Sequence, residues 1–211
     1  MRRAAAVLLA MLMAAMSVLP ASAMTFQMLE RGDQRQVIAS GEIDDGDARR
    51  LERALDLATR DSHGTKDLLL NSPGGLVDEA FAMADIMDHV GVTTIVPSGA
   101  YCASACASVL FVSGKYRTVD KGGSLIIHSC FDARNGQPMA DCDAVISAHA
   151  QAEGVSGVAM MAFQEVAGTH SAFLFDKADA ACFGLTRAPG TAASTKIPPC
   201  LAAAMKAAKK H

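Results

Sequence analysis

The sequence predicts an α/β fold built on a mostly parallel sheet. Residues 67–71 carry the unbroken apolar centre Leu68-Leu69-Leu70, as expected of a strand buried on both faces. An amphipathic helical stripe follows directly, through Val77, Ala80, Phe81, Ala84, Met87 and Val90. The succession then recurs as a strand at 92–96, a helix at 104–112 and a strand at 125–127. Strands alternating with helices close as parallel pairs through right-handed crossovers.

The elements follow in order. Val37-Ile38-Ala39 and Ile43 mark an edge strand over 36–43. Asp44-Asp45-Gly46-Asp47 reads as a turn with helix-capping acids, before a helical face of Leu51, Ala54, Leu55 and Ala58. Gly74-Gly75 opens the second helix, whose far face carries Asp78, Glu79, Asp85 and Asp88, and Gly91 is its C-cap. Pro97 ends the strand 92–96. After His128 a polar loop runs from Phe131 to Asp141 around Asn135-Gly136. One or two helices then span 144–166, broken near Gly154 and Gly157, and a short strand with a helical turn occupies 173–185. The tail from Ala188, rich in Pro, Thr, Ala and Lys, is expected to pack loosely beyond Cys200.

The N-terminus reads as an address. Arg2-Arg3, the uncharged run Ala4–Val18 and the small-x-small ending Ala21-Ser22-Ala23 form a secretory signal over residues 1–23. The alternative, an uncleaved anchor, needs about 20 apolar residues to span. One folded domain is expected over 24–200 and a basic tail over 201–211, with export to the periplasm or medium. Removing Arg2 and Arg3 takes the formal charge from −3 to −5, and no basic patch of the kind nucleic acid needs is present.

Cys102, Cys106, Cys130, Cys142, Cys182 and Cys200 all follow the signal, and an even count in an exported chain implies disulfides. Six cysteines allow fifteen pairings, and nearest-neighbour pairing is the simplest expectation: 102 with 106, 130 with 142, 182 with 200. Without a Cys-x2-Cys pair, and with scattered histidines, a metal centre is not expected.

Three positions carry chemistry. Ser104 lies between Ala103 and Ala105 at a helix start, where free N–H groups such as that of Ala105 can face an oxyanion; its plain alternative is an N-cap. Gly74-Gly75 permit close backbone approach after a buried strand, and the Gly75 N–H would supply a second oxyanion donor; otherwise Pro73-Gly74-Gly75 is only a turn. His128 ends the strand Leu125-Ile126-Ile127, a usual place for a general base, or else is a satisfied core histidine. His63, His89 and His149 read as structural.

Asn71-Ser72-Pro73-Gly74-Gly75, the small-residue Ser104 segment, Ile126-Ile127-His128 and Ala180-Ala181-Cys182-Phe183-Gly184-Leu185, in that order, resemble the Clp-protease/crotonase superfamily. The likeness is to the proteolytic subunit of the Clp protease in particular, over residues 37–187. The Cys102-Ala103-Ser104-Ala105-Cys106 segment is similar to that of exported, periplasmic Clp-like proteins of bacteria. The resemblance implies a repeated ββα superhelix, Ser104 as nucleophile, His128 as base, and Gly75 and Ala105 as the oxyanion hole. It implies no cofactor, a peptide or unfolded protein as substrate, and self-association into a homo-oligomer; with no ATP motif in the chain and no ATP in the periplasm, no ATPase partner is expected.

The chain departs from the family at two points. The family's third catalytic member, an aspartate, aligns near Ala172, with Asp176 the nearest acid, so a dyad or a displaced Asp176 is expected. Cys102 and Cys106 bracket Ser104, either stiffening its turn or blocking it until reduced. Two other readings stand beside the hydrolase: a catalytically silent envelope binding module, and a crotonase-type acyl-CoA enzyme.

Overall fold

The computed structural model describes residues 23–208; the signal assigned to residues 1–23 lies, save for Ala23, outside them. Two strands, β1 (Thr25–Arg31) and β2 (Gln34–Ser40), form an antiparallel hairpin, with Arg31 paired to Gln34. Gly32-Asp33 makes the two-residue turn, Gly32 at φ +58°, a conformation that suits the right-handed twist of the flanking strands. Helix α1 (Asp47–Leu57) follows, then β3 (Lys66–Asn71), α2 (Val77–Val90) and β4 (Val92–Val96). The short β5 (Tyr101–Ala103) leads into a π-helical segment, Cys106–Phe111, then β6 (Tyr116–Val119) and β7 (Ser124–Ile127). Helices α3 (Ala140–Ala152) and α4 (Gly157–Ala167), strand β8 (Phe173–Phe175), α5 (Lys177–Cys182) and α6 (Pro199–Ala208) complete the chain.

The larger sheet has the order β1-β2-β3-β4-β6, with every pair after the first parallel. The strand expected at 36–43 is therefore not an edge: β1 covers it. The smaller sheet, β5-β7-β8, is parallel at β5–β7 and antiparallel at β7–β8. The two are stitched by Ser72, whose N–H donates to Tyr101 O (2.8 Å) and whose carbonyl accepts from Ala103 N–H (2.9 Å).

All six residues of the π-helical segment are buried, packed with Leu68, Leu70, Met83, Met87, Leu125 and Ile127 into one core. Truncating a fully buried leucine such as Leu110 to Ala costs about 2–5 kcal/mol. Arg117 is also buried, and its guanidinium donates to the carbonyls of Leu185, Val112, Gly114 and Glu153 at 2.8–3.2 Å. The acceptors join three segments, and Leu185 O ties the C-terminal one to β6. The tail expected to be loose is helical from Pro199, and Leu201 packs on the core. Among the described residues no helix is long and apolar enough to cross a membrane.

All three expected cysteine pairs, Cys102–Cys106, Cys130–Cys142 and Cys182–Cys200, are brought within disulfide reach, with Cα separations of 5.2, 6.0 and 5.6 Å.

Candidate active site

Ser104 follows the last residue of β5 and has φ +55°, in the left-handed region that non-glycine residues rarely adopt. Such a conformation costs about 1–3 kcal/mol and persists only where the surroundings impose it. Here they do. Ser104 N–H donates to Ile126 O on β7 (2.9 Å), and Ser104 O accepts from Ala107 N–H, Ser108 N–H and Ser108 Oγ, each at 2.9 Å. The disulfide Cys102–Cys106 closes around it from both sides.

Because a peptide unit is planar and trans, its N–H points opposite to its C=O. With Ser104 O turned into the helix, the Ala105 N–H points back out of the helix start. Gly75 obeys the same geometry. Gly74 O accepts from Ile43 N–H (2.7 Å) and Leu76 N–H donates to Ile43 O (2.9 Å), so the Gly75 N–H points away from Ile43, toward β5. A β-carbon placed on Gly74 would lie 3.0 Å from Ala105 N. Standard backbone dimensions then put the Gly75 and Ala105 nitrogens within about 7 Å of each other. The two donors expected from the sequence face one place, beside Ser104.

Both glycines are required there. A β-carbon on Gly74, at φ +94°, would come 2.6 Å from Ala103 O; on Gly75, at φ +145°, 2.2 Å from Ile43 O.

His128 follows β7, the neighbour of β5 in the smaller sheet, so it shares the C-terminal strand end with Ser104. Its Nδ1 lies 2.8 Å from Ser129 O. A carbonyl only accepts, so Nδ1 is the donor, and in the neutral ring Nε2 is then the nitrogen with the lone pair. The ring is half-buried and lies 5.6 Å from that of Phe131.

The family model for Clp protease matches residues 21–148, a span that holds Gly74, Gly75, Ser104 and His128. The chain belongs to the Clp protease family. Two solved structures show the same fold at low identity. The 1510-N membrane-bound stomatin-specific protease, in a serine-to-alanine mutant form, aligns at 18% identity and TM-score 0.56, over 69% of this chain and 73% of its own. The ClpP protease catalytic domain from Plasmodium falciparum aligns at 19% identity and TM-score 0.52, over 69% and 78%. No curated protein sequence matches the chain. Membership in a protease family supports a peptidase-like function.

The Clp protease match ends at residue 148, before β8. Asp176, expected as a displaced third member, is not beside His128. The ladder pairs Ile127 with Phe173 and Leu125 with Phe175, so the same register extended one residue at each end would set Ala172 across from His128 and Asp176 across from Ser124, about 13 Å from His128 along the strand. Asp176 is exposed and caps α5, its Oδ1 accepting from Ala178 N–H (2.7 Å) and Asp179 N–H (2.9 Å).

Sequence reasoning missed Asp143, on the first turns of α3. It is buried, and its carboxylate accepts from Ser129 Oγ and from Cys130 N–H, the latter at 2.7 Å. The only signal in the sequence was its place next to Cys142.

His149 is structural, as expected, though not on a polar face. It packs edge-on against Phe81 (5.1 Å) and shares a hydrogen bond with Ser113 Oγ (2.8 Å). Burial holds its pKa below the usual imidazole value.

Proposed function

We propose that the chain is an exported serine peptidase in which Ser104 is the nucleophile and His128 the base. The observation that carries this reading is the convergence of the Gly75 and Ala105 N–H groups beside a serine held at φ +55°. In this reading Ser104 Oγ attacks the acyl carbon of a peptide as His128 Nε2 takes its proton. The tetrahedral oxyanion forms against the two N–H groups. The leaving amine takes the proton from His128, and water, activated the same way, releases the acyl group from Ser104. Backbone donors of this kind are worth about 3–4 kcal/mol each to the transition state.

Three cysteine pairs within disulfide reach support the exported setting, because disulfides persist in oxidising compartments. A short or unfolded peptide is the proposed substrate, with no ATP-driven partner. The proposal includes self-association of identical chains, which sedimentation of the oxidised protein checks. Labelling with a fluorophosphonate tests the nucleophile: the wild type reacts at Ser104, and an unreactive wild type sinks the reading.

One observation favours a second reading. With Ala172 across from His128 in the extended register, no β8 carboxylate meets the ring, as in a silent envelope binding module. That module would bind peptide without cleaving it.

A further inference from the structure

We infer that Asp143 is a positioning residue for His128, acting through the Ser129–Cys130 peptide group; the inference rests on the reading of His128 as the base for Ser104. The two ends of one peptide unit connect them. Its carbonyl, Ser129 O, accepts the His128 Nδ1–H at 2.8 Å. Its N–H, on Cys130, donates to Asp143 Oδ1 at 2.7 Å. The other carboxylate oxygen takes the Ser129 hydroxyl. A peptide is a resonance hybrid, so a carboxylate on its N–H raises the negative charge on its oxygen and strengthens the bond that oxygen accepts.

The arrangement stands where a carboxylate would otherwise touch the ring. The β7–β8 register ends at Ile127↔Phe173, and the next residue along the chain, Ala172, carries no carboxylate. Asp143 reaches the imidazole at one remove. The residue is 6% exposed, so solvent screens its charge little, and it lies near the N-terminus of an α-helix, where negative charge is favoured. Cys130–Cys142 joins the residue after Ser129 to the residue before Asp143.

The proton balance is simple. The Ser104 proton moves to His128 Nε2 and on to the leaving amine. The Nδ1 proton stays on the ring, and Asp143 remains a carboxylate throughout. Its work is to fix the tautomer and ring plane, and to place a polarised carbonyl against the imidazolium as it forms.

The test uses the oxidised mature chain. Asp143→Asn should lower kcat about 10–100-fold, the cost of a small misplacement of a reacting group, with KM changed less than about twofold. Ser129→Ala, which keeps the Cys130 bond, should cost less. Nitrogen-15 NMR of histidine-labelled wild type should show neutral His128 protonated on Nδ1, and Asp143→Asn should move that proton's resonance upfield. A merely structural aspartate would leave the resonance and the kcat-to-KM split unmoved. Should Asp143→Asn not fold, the wild-type spectrum decides: an Nδ1-protonated His128 supports the proposal and an Nε2-protonated His128 overturns it. Equal turnover by Asp143→Asn and wild type overturns it too. A wild type without Ser104-dependent turnover overturns the hydrolase reading instead; the two failures are told apart because the spectrum needs no substrate.

Discussion

Gly74 and Ser104 occupy each other's space: a β-carbon on Gly74 would lie 2.7 Å from the Ser104 β-carbon. The close approach of these two backbones brings the Gly75 N–H and the Ala105 N–H to one place. The strained serine is held by that contact together with its bond to β7.

Gly74→Ala should therefore disturb the site and the fold together. The added methyl meets backbone on one side and Ser104 on the other, at a φ that side chains avoid. We expect a loss of roughly 2–3 kcal/mol in urea unfolding and fluorophosphonate labelling reduced to background. Labelling at the wild-type rate would contradict the shared oxyanion site.

Asp176→Ala should separate capping from catalysis. Losing the two hydrogen bonds at the start of α5 costs about 1 kcal/mol of stability, and kcat should stay within about twofold of wild type. A hundredfold loss of kcat would restore Asp176 to the catalytic machinery.

Reduction should weaken the fold. Cys130–Cys142 spans a sequence separation of 12 and Cys182–Cys200 one of 18. Loops of this size are worth roughly 3 kcal/mol each in the chain-entropy model. The thermal midpoint should fall on adding a phosphine reductant, and the native protein should titrate with no free thiols. Six reactive thiols in the native state would end this idea.

Glu153 should make stability depend on pH. Burial and the neighbouring Asp88 raise its pKa to about 7, although Arg117 and Arg187 oppose the shift. The folded state thus binds more protons than the unfolded state between the ordinary carboxyl value and about 7. This contribution is fully present below the unfolded pKa and is lost as pH rises toward 7. Because the group is only half-buried, about 1–2 kcal/mol is expected. Glu153→Gln should flatten urea stability across pH 5–8; an unchanged slope would rule the assignment out.

Gly75 and His128 could be singled out because each follows a strand whose apolar run is local and clear, and Ser104 because small residues flank it at an expected helix start. β5, at three residues, is too short for any period to register. The hairpin partner β1 did carry a signal in Gly32-Asp33 between alternating residues, and it turns the expected edge strand into an interior one. β6 holds the buried Arg117, whose carbonyl partners come from three separate segments; composition places such a residue at the surface. The helix at 104–112 was expected, but its π-winding reflects tertiary packing around Ser104. Asp143 was invisible for the same reason as Arg117: its partners, Ser129 and Cys130, lie across a loop, and only the fold brings them together.

Ser104 and His128 are proposed to work as a unit. Removing either should abolish nearly all acyl transfer, and removing both should be little worse. The deciding experiment is the hydrolysis rate of an activated ester and of unfolded casein fragments by the purified chain from Met24. Wild type should turn both over, with Ser104→Ala, His128→Ala and the double variant all falling to the buffer rate. Equal rates for wild type and Ser104→Ala would refute the peptidase and leave a peptide-binding module in its place.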